Sequence, residues 1–154
     1  MSRAVVLLHR IAHALHGWGV PVLPLVVALV NRLVFGCWIG PGARLGARVS
    51  LGYGGLGVVV HGRAVVGDDV RVGPGVVIGG RSKEWGVPVI GDRCVISTGA
   101  KVLGKVTLGD EVVVGANAVV IADVDARCVV AGVPARVVRR EIEIGKYHDG
   151  VEAA

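Results

Sequence analysis

The sequence predicts an all-β solenoid, a parallel β-helix preceded by a short helical segment, and three observations carry that prediction. An aliphatic residue returns at every sixth position with one interruption: Val60, Val66, Val72, Ile78, then Ile90, Ile96, Val102, Leu108, Val114 and Val120. Glycine follows most of these residues, as at Gly67, Gly73, Gly79, Gly91, Gly109 and Gly115. The fifth position of each hexad is small or β-branched, from Ala64, Val70 and Val76 to Cys94, Ala100, Val106, Val112 and Ala118. A six-residue period fits neither an amphipathic helix nor an alternating strand; it fits short strands joined by corners, with positions one and five turned into a narrow core. Each coil then buries its apolar side chains only against its neighbours.

The same register extends upstream through Ile39, Leu45 and Leu51, each followed by glycine, so the repeat begins directly after the apolar leader. The sequence thereby divides into a helical segment over 1–36, a β-helix over 37–134, and a C-terminal helix and tail over 135–154. Disorder is expected only at the last residues, Gly150 to Ala154. Hydrophobic residues make up 53% of the chain and aromatics only 4%, a valine-dominated composition that suits stacked strands in one domain.

The leader is strongly apolar but broken by Pro21 and Pro24. Its longest apolar run, Val20 to Val30, is too short to span a bilayer. One helix to His16 and a second through Phe35 are expected on either side of the proline break. His9, His13 and His16 share one face of the first helix, where a solvated polar face is the expected role and no metal site is assigned. The apolar side has two destinations: the solenoid end or an oligomer interface, or a peripheral position on a membrane through residues 1–35. Cys37, Cys94 and Cys128 are odd in number and have no metal-ligand spacing, and Cys94, at an inward hexad position, reads as a small core residue in a reducing cytoplasm, with the inner membrane surface left open as a location.

The net charge of +5 invites a nucleic-acid partner, but aromatics for base stacking are scarce and the arginines alternate with Asp68, Asp69, Asp92, Asp110 and Glu111. No nucleic acid is expected. The dense basic group Arg136, Arg139 and Arg140, with Lys101 and Lys105, suits a small polyphosphate ligand.

The hexad ladder, the Gly79–Gly80 pair before an insertion, the segment PVIGDRCVISTGAKVLGKVTLGDEVVVGANAVV and the ending VVAGVPARVV together resemble the hexapeptide-repeat acyltransferases, in their serine acetyltransferase-like branch, over residues 37–140. The resemblance implies a left-handed β-helix with three hexads per coil, a homotrimer with sites between subunits, acetyl-coenzyme A as donor and a hydroxyl or amine as acceptor. It further implies that Gly80, Thr98, Gly99, Ala116 and the Ala131 to Arg136 segment, with Gly132 and Pro134, border the pantetheine arm; Gly79, Lys101, Arg139 and Arg140 are candidate coenzyme contacts beside them.

This chain departs from the family pattern at its catalytic positions. The usual Asp and His fall near Trp38 and Tyr53, and the substrate-holding Arg-His-Pro of the insertion is replaced by Gly86, Val87 and Pro88. L-serine is therefore a poor fit as acceptor, and a sugar or polysaccharide hydroxyl is expected, as in the short relatives of polysaccharide and lipopolysaccharide loci. The hexad pattern nominates a replacement base. Leu51 and Val60 are nine residues apart, so three extra residues bulge near Tyr53, and His61 then occupies a corner where glycine is the rule. With three hexads per coil, His61 lies below Gly79 and the insertion, and an imidazole can accept a hydroxyl proton. Tyr53, Arg81, Lys83, Glu84 and Trp85 are the expected acceptor-facing residues. Serine acetylation with a relocated base, or a scaffold without catalysis, are the alternatives.

Overall fold

A computed structural model describes residues 1–148. Two helices, α1 (Ser2–Gly17) and α2 (Leu23–Phe35), open the chain. Strands then follow in coils: β1 (Trp38–Ile39), β2 (Arg44–Leu45) and β3 (Ser50–Leu51); β4 (Val59–Val60), β5 (Val65–Val66) and β6 (Arg71–Val72); β7 (Val77–Gly79), β8 (Val89–Ile90) and β9 (Val95–Ile96); β10 (Lys101–Leu103), β11 (Thr107–Leu108) and β12 (Val113–Val114); and β13 (Val119–Val120) with β14 (Val129–Ala131). Like strands of successive coils pair in parallel, giving three sheets: β1-β4-β7-β10-β13, β2-β5-β8-β11, and β3-β6-β9-β12-β14. The register matches the hexad count, with Val60 opposite Ile78 and Ile78 opposite Val102. The ladder residues Ile39, Val60, Ile78, Ile90, Ile96, Val102 and Leu108 are at most 2% exposed, and Cys94 lies fully inside with them.

The corners explain why so few residue types occur there. Gly40 and Gly67 sit so close to the coil above that an added Cβ would meet backbone atoms at 2.5 and 2.7 Å. At the corner between the second and third sheets, Asp68, Asp92 and Asp110 form a column. Each carboxylate accepts a backbone N–H of the coil below, from Ala47, Asp68 and Asp92, at 2.7–2.8 Å. The next residue adopts the left-handed region, and Arg48 with Asp69 and Arg93 with Glu111 pair across coils on the outside. Arginines and acids interleave there because stacking brings them opposite each other every coil.

Two expectations change at the ends of the solenoid. Residues 136–139 form a strand, β15 (Arg136–Arg139), antiparallel to β14, and the C-terminal helix is one turn, α3 (Gly145–His148). The chain doubles back there because the third sheet still offers an unpaired edge. The descending tail donates Ile142 N–H to Arg127 O, and the His148 ring bonds Arg93 O at 3.2 Å. Val95 and Val113, outward-facing in their strands, are thereby only 9% and 5% exposed. The expected disorder at 150–154 lies outside the described residues.

The second correction concerns the leader histidines. The helices begin and break as expected, but His9 and His13 are not solvated: α1 and α2 pack on each other and close the open end at the first coil. His9 Nε2 donates to Ala43 O at 3.1 Å, and the His13 ring bonds Pro41 O at 2.9 Å through Nδ1. Unpaired corner carbonyls of the first coil need donors, and imidazoles supply them; His16 alone stays exposed. Asn31, also buried, donates to Val5 O across the helix pair. Burial pushes the His9 ring down to about 4 from its ordinary value, with the positive charges of His13 and Arg10 acting in the same direction. The unfolded chain takes up that proton near pH 6.5 while the folded chain resists, so stability is complete above that pH and falls as pH drops toward 4. The expected loss is about 3 kcal/mol, and His9→Gln should flatten it; urea melts at several pH values measure both.

Candidate active site

The three corners of the solenoid sort the expected site residues into two groups. Along the edge between the third and first sheets stand Tyr53, Thr98 with Gly99, Ala116, and Gly132 with Pro134, one above the other from coil to coil. The stacking is close: an added Cβ on Gly73 would meet Thr98 N at 2.6 Å, and one on Gly115 would meet the Ala131 Cβ at 3.2 Å. Lys101 begins the first-sheet strand beside this edge, and its Nζ donates to Gly99 O at 2.7 Å. Thr98, Ala116, Gly132 and Pro134 are exposed, so the column is an open strip of mostly small residues. A cleft of about 790 Å³ opens at its lower end, walled by Tyr53, Arg71, Pro74, Ser97 and Thr98. Tyr53 is 75% exposed, with φ 50°. Arg136 on β15, opposite Ala131, lies exposed at the top of this edge, whereas β15 carries Arg139 back to Val129 at the far margin of the third sheet, where Arg140 reaches Asp125 at 3.4 Å. An extended, thin ligand with a phosphate end suits this edge: the strip for the arm, the Arg136 guanidinium for the charge.

The second group lies on the other margin of the first sheet. His61, Gly79, Gly80 and the insertion with Arg81, Lys83, Glu84 and Trp85 occupy the edge between the first and second sheets. His61 N–H donates to Ile78 O and Gly104 N–H to Gly79 O, which locks corner to corner. The Arg63 guanidinium covers the Trp85 ring at 5.3 Å, tying the insertion down to the His61 corner. A cleft of about 640 Å³ lies between Glu84, Trp85, Gly86, Lys105 and Ile121. Glu84 is engaged there by Arg81 at 3.5 Å and by the Lys105 N–H at 3.3 Å, so it anchors the loop to the next coil.

His61 itself caps its own corner. Nδ1 accepts the Arg63 N–H at 3.1 Å, which places the proton of the neutral ring on Nε2. The position where a carboxylate would orient this ring is thus taken by a backbone N–H. His16 adds a residue that sequence reasoning set aside: its Nε2 would lie 3.4 Å from a Cβ at Gly42, on the same edge one coil below. No spacing signal links residue 16 to residue 42, because the contact exists only once α1 closes the solenoid.

Tyr53 thus joins Thr98, while Trp85 and Glu84 join His61. Between the two groups lies the first sheet, whose outward row reads Trp38, Val59, Val77, Lys101 and Val119. Four of these five side chains are apolar, and Val59 is 39% exposed.

Comparison with known proteins places this architecture. Residues 88–122 match the bacterial transferase hexapeptide (six repeats) family, so this part of the chain carries the repeat of those transferases. A serine acetyltransferase of Synechococcus elongatus is 43% identical over 60 residues, 39% of this chain and 24% of that protein. The crystal structure of Brucella abortus serine acetyltransferase in complex with coenzyme A superposes with a TM-score of 0.85 at 35% identity, over 88% of this chain and 54% of that one. Soybean serine acetyltransferase complexed with serine gives 0.83 at 37% identity, over 87% and 56%. The chain spans about half the length of the solved relatives it matches.

Proposed function

We propose that this solenoid, built on bacterial transferase hexapeptide repeats and similar over most of its length to the serine acetyltransferases, transfers an acetyl group from acetyl-coenzyme A to a small hydroxyl acceptor of the serine type. The observation that carries the reading is the likeness over nearly nine-tenths of this chain to a serine acetyltransferase solved with coenzyme A. The exposed strip from Thr98 to Pro134, ending at Arg136, supports it. A sugar hydroxyl, the acceptor expected from the missing Asp and His, has no counterpart among the solved relatives reported above, one of which is complexed with serine. Serine with a relocated base is accordingly the preferred reading.

In this reading the coenzyme arm lies along the strip and the acceptor hydroxyl attacks the thioester carbon. His61 takes the hydroxyl proton, the C–S bond breaks, and the coenzyme leaves as the thiol after receiving that proton. A backbone N–H at Gly79 or Gly80 steadies the oxyanion. Acting at Nε2 requires the ring to give up the Arg63 hydrogen bond and carry its proton on Nδ1. That exchange costs about 1 kcal/mol at an accessible site, well under the roughly 3–5 kcal/mol that a positioned base contributes.

The coenzyme strip and His61 stand on opposite margins of the first sheet, so one copy cannot bring both to one thioester without spanning that sheet. A closed homotrimer about an axis along the solenoid, with the apolar outward row of the first sheet at the contact, sets the strip of one copy beside the His61 edge of the next. Light scattering should give a trimer. Release of free thiol from acetyl-coenzyme A should depend on added L-serine and not on a panel of sugars. Sugar-dependent release would move the acceptor assignment, and no release with any hydroxyl would leave a scaffold. Arg136→Ala, at the end of the strip, should raise KM for acetyl-coenzyme A several-fold and spare kcat.

A further inference from the structure

The inner faces of α1 and α2 are spent on the solenoid end, yet their outer faces are among the most apolar surfaces of the protein. Seven of the 13 residues of α2 are exposed large aliphatics: Leu23, Leu25, Val26, Leu29, Val30, Leu33 and Val34. On α1, Leu7, Ile11 and Trp18 form a second exposed stripe along one helical face, at 60%, 45% and 79% exposure. Scattered apolar residues are ordinary on a surface; apolar outer faces on two helices packed against each other mark an interaction site.

Charge decides what that site takes. Residues 1–67 contain six arginines and no Asp or Glu, while the remainder of the chain carries eleven Lys and Arg against twelve acids. The whole cationic excess therefore sits at the leader end of the solenoid. Arg3, Arg10 and Arg32 are exposed on the helices that carry the apolar face. Arg3 borders the Leu7–Ile11–Trp18 stripe, while Arg10, seven residues on, turns its guanidinium to Gly46 O of the first coil at 3.2 Å. A second copy of this face would bring arginines against arginines with no acid to answer them. A rotation axis along the solenoid keeps the leader level with other acid-free first coils. A lipid surface bearing anionic headgroups answers both features: the aliphatics enter the acyl boundary, Trp18 sits at the headgroup level, and the arginines meet phosphates. No helix among the described residues is long and apolar enough to cross a membrane, which leaves the hairpin lying in the surface plane.

We infer that the α1–α2 hairpin is a docking face for an anionic membrane surface, holding the solenoid with its leader end against the lipid. The inference does not depend on the acetyl-transfer reading, and its test uses no enzymatic readout. The full chain is mixed with vesicles of equal parts phosphatidylglycerol and phosphatidylcholine, or of phosphatidylcholine alone, and sedimented. Binding to the anionic vesicles is expected, several-fold weaker on pure phosphatidylcholine and at high salt, with a blue shift of tryptophan emission that Trp18→Phe removes. Leu25→Glu combined with Leu29→Glu and Leu33→Glu should abolish sedimentation while far-ultraviolet dichroism and melting temperature stay at the parent's values, since all three side chains are exposed. Arg3→Gln with Arg32→Gln should weaken binding several-fold and reduce its salt dependence. Equal binding to both vesicle types, undiminished binding of the triple glutamate variant, or absence of binding overturns the inference. So does lipid-independent self-association that the glutamates dissolve, which would make the face a contact between copies.

Discussion

His61→Ala should lower kcat by roughly 100- to 10,000-fold and leave the affinity for acetyl-coenzyme A within a few-fold of the parent. The His61 ring lies partly exposed at a corner, outside the valine core, and among the described residues it accepts only the Arg63 N–H, so its removal should change stability by under about 1 kcal/mol. The substitution therefore tests chemistry without testing folding. His61→Gln refines the result, because a glutamine amide can donate where Nε2–H does but cannot accept a proton at working pH. As a base, His61 predicts that Gln is as inactive as Ala. A glutamine variant that keeps most of the activity would make the ring a hydrogen-bond donor to the oxyanion, and His16, on the same edge, would be the next residue to substitute. Steady-state rates by thiol release and coenzyme titration by calorimetry separate these outcomes.

Ile78→Ala, at the centre of the ladder, should cost about 2–5 kcal/mol. Ile78 is fully buried between Val60 below and Val102 above, and the adjoining corners are held by Gly79 O and the His61 N–H, so neighbouring coils cannot collapse into the space. For a chain of this length each kcal/mol moves the melting temperature by about 2–4 °C, which places the variant roughly 5–20 °C below the parent. Val59→Ala, one residue outward from the ladder, should shift it by only a few degrees. Thermal melts of the two variants side by side read the difference between an inward and an outward position of the same strand.

The repeat itself was legible because hexad periodicity is a local signal repeated many times: each inward aliphatic and each corner glycine answers to the coil directly above it. For the same reason the counting that put His61 beneath Gly79 and the insertion agrees with the register of β4 and β7. The ends of the solenoid were less legible, since their structure depends on what remains unpaired once the coils have stacked. The AGVPAR ending turns back as an antiparallel strand because the third sheet has a free edge, and no period announces that. His9 and His13 carry the pattern of a polar helix face, yet that face is turned against corner carbonyls more than twenty residues ahead. The division of the site residues between two edges follows from counting three corners per coil. What each edge meets follows only from how copies associate. The missing carboxylate beside His61 has a physical counterpart, since a backbone N–H occupies its place.

The most direct test of the central proposal, a transferase site shared between copies, is complementation. His61→Ala and Ala116→Trp, the second filling the exposed coenzyme strip, are co-expressed under different tags, and oligomers carrying both are isolated. Each variant alone should be inactive. The mixed oligomers should recover serine-dependent acetyl transfer, because an intact strip from one copy then faces an intact His61 from its neighbour. Mixed oligomers as inactive as the separate variants, beside an active parent, would contradict the account.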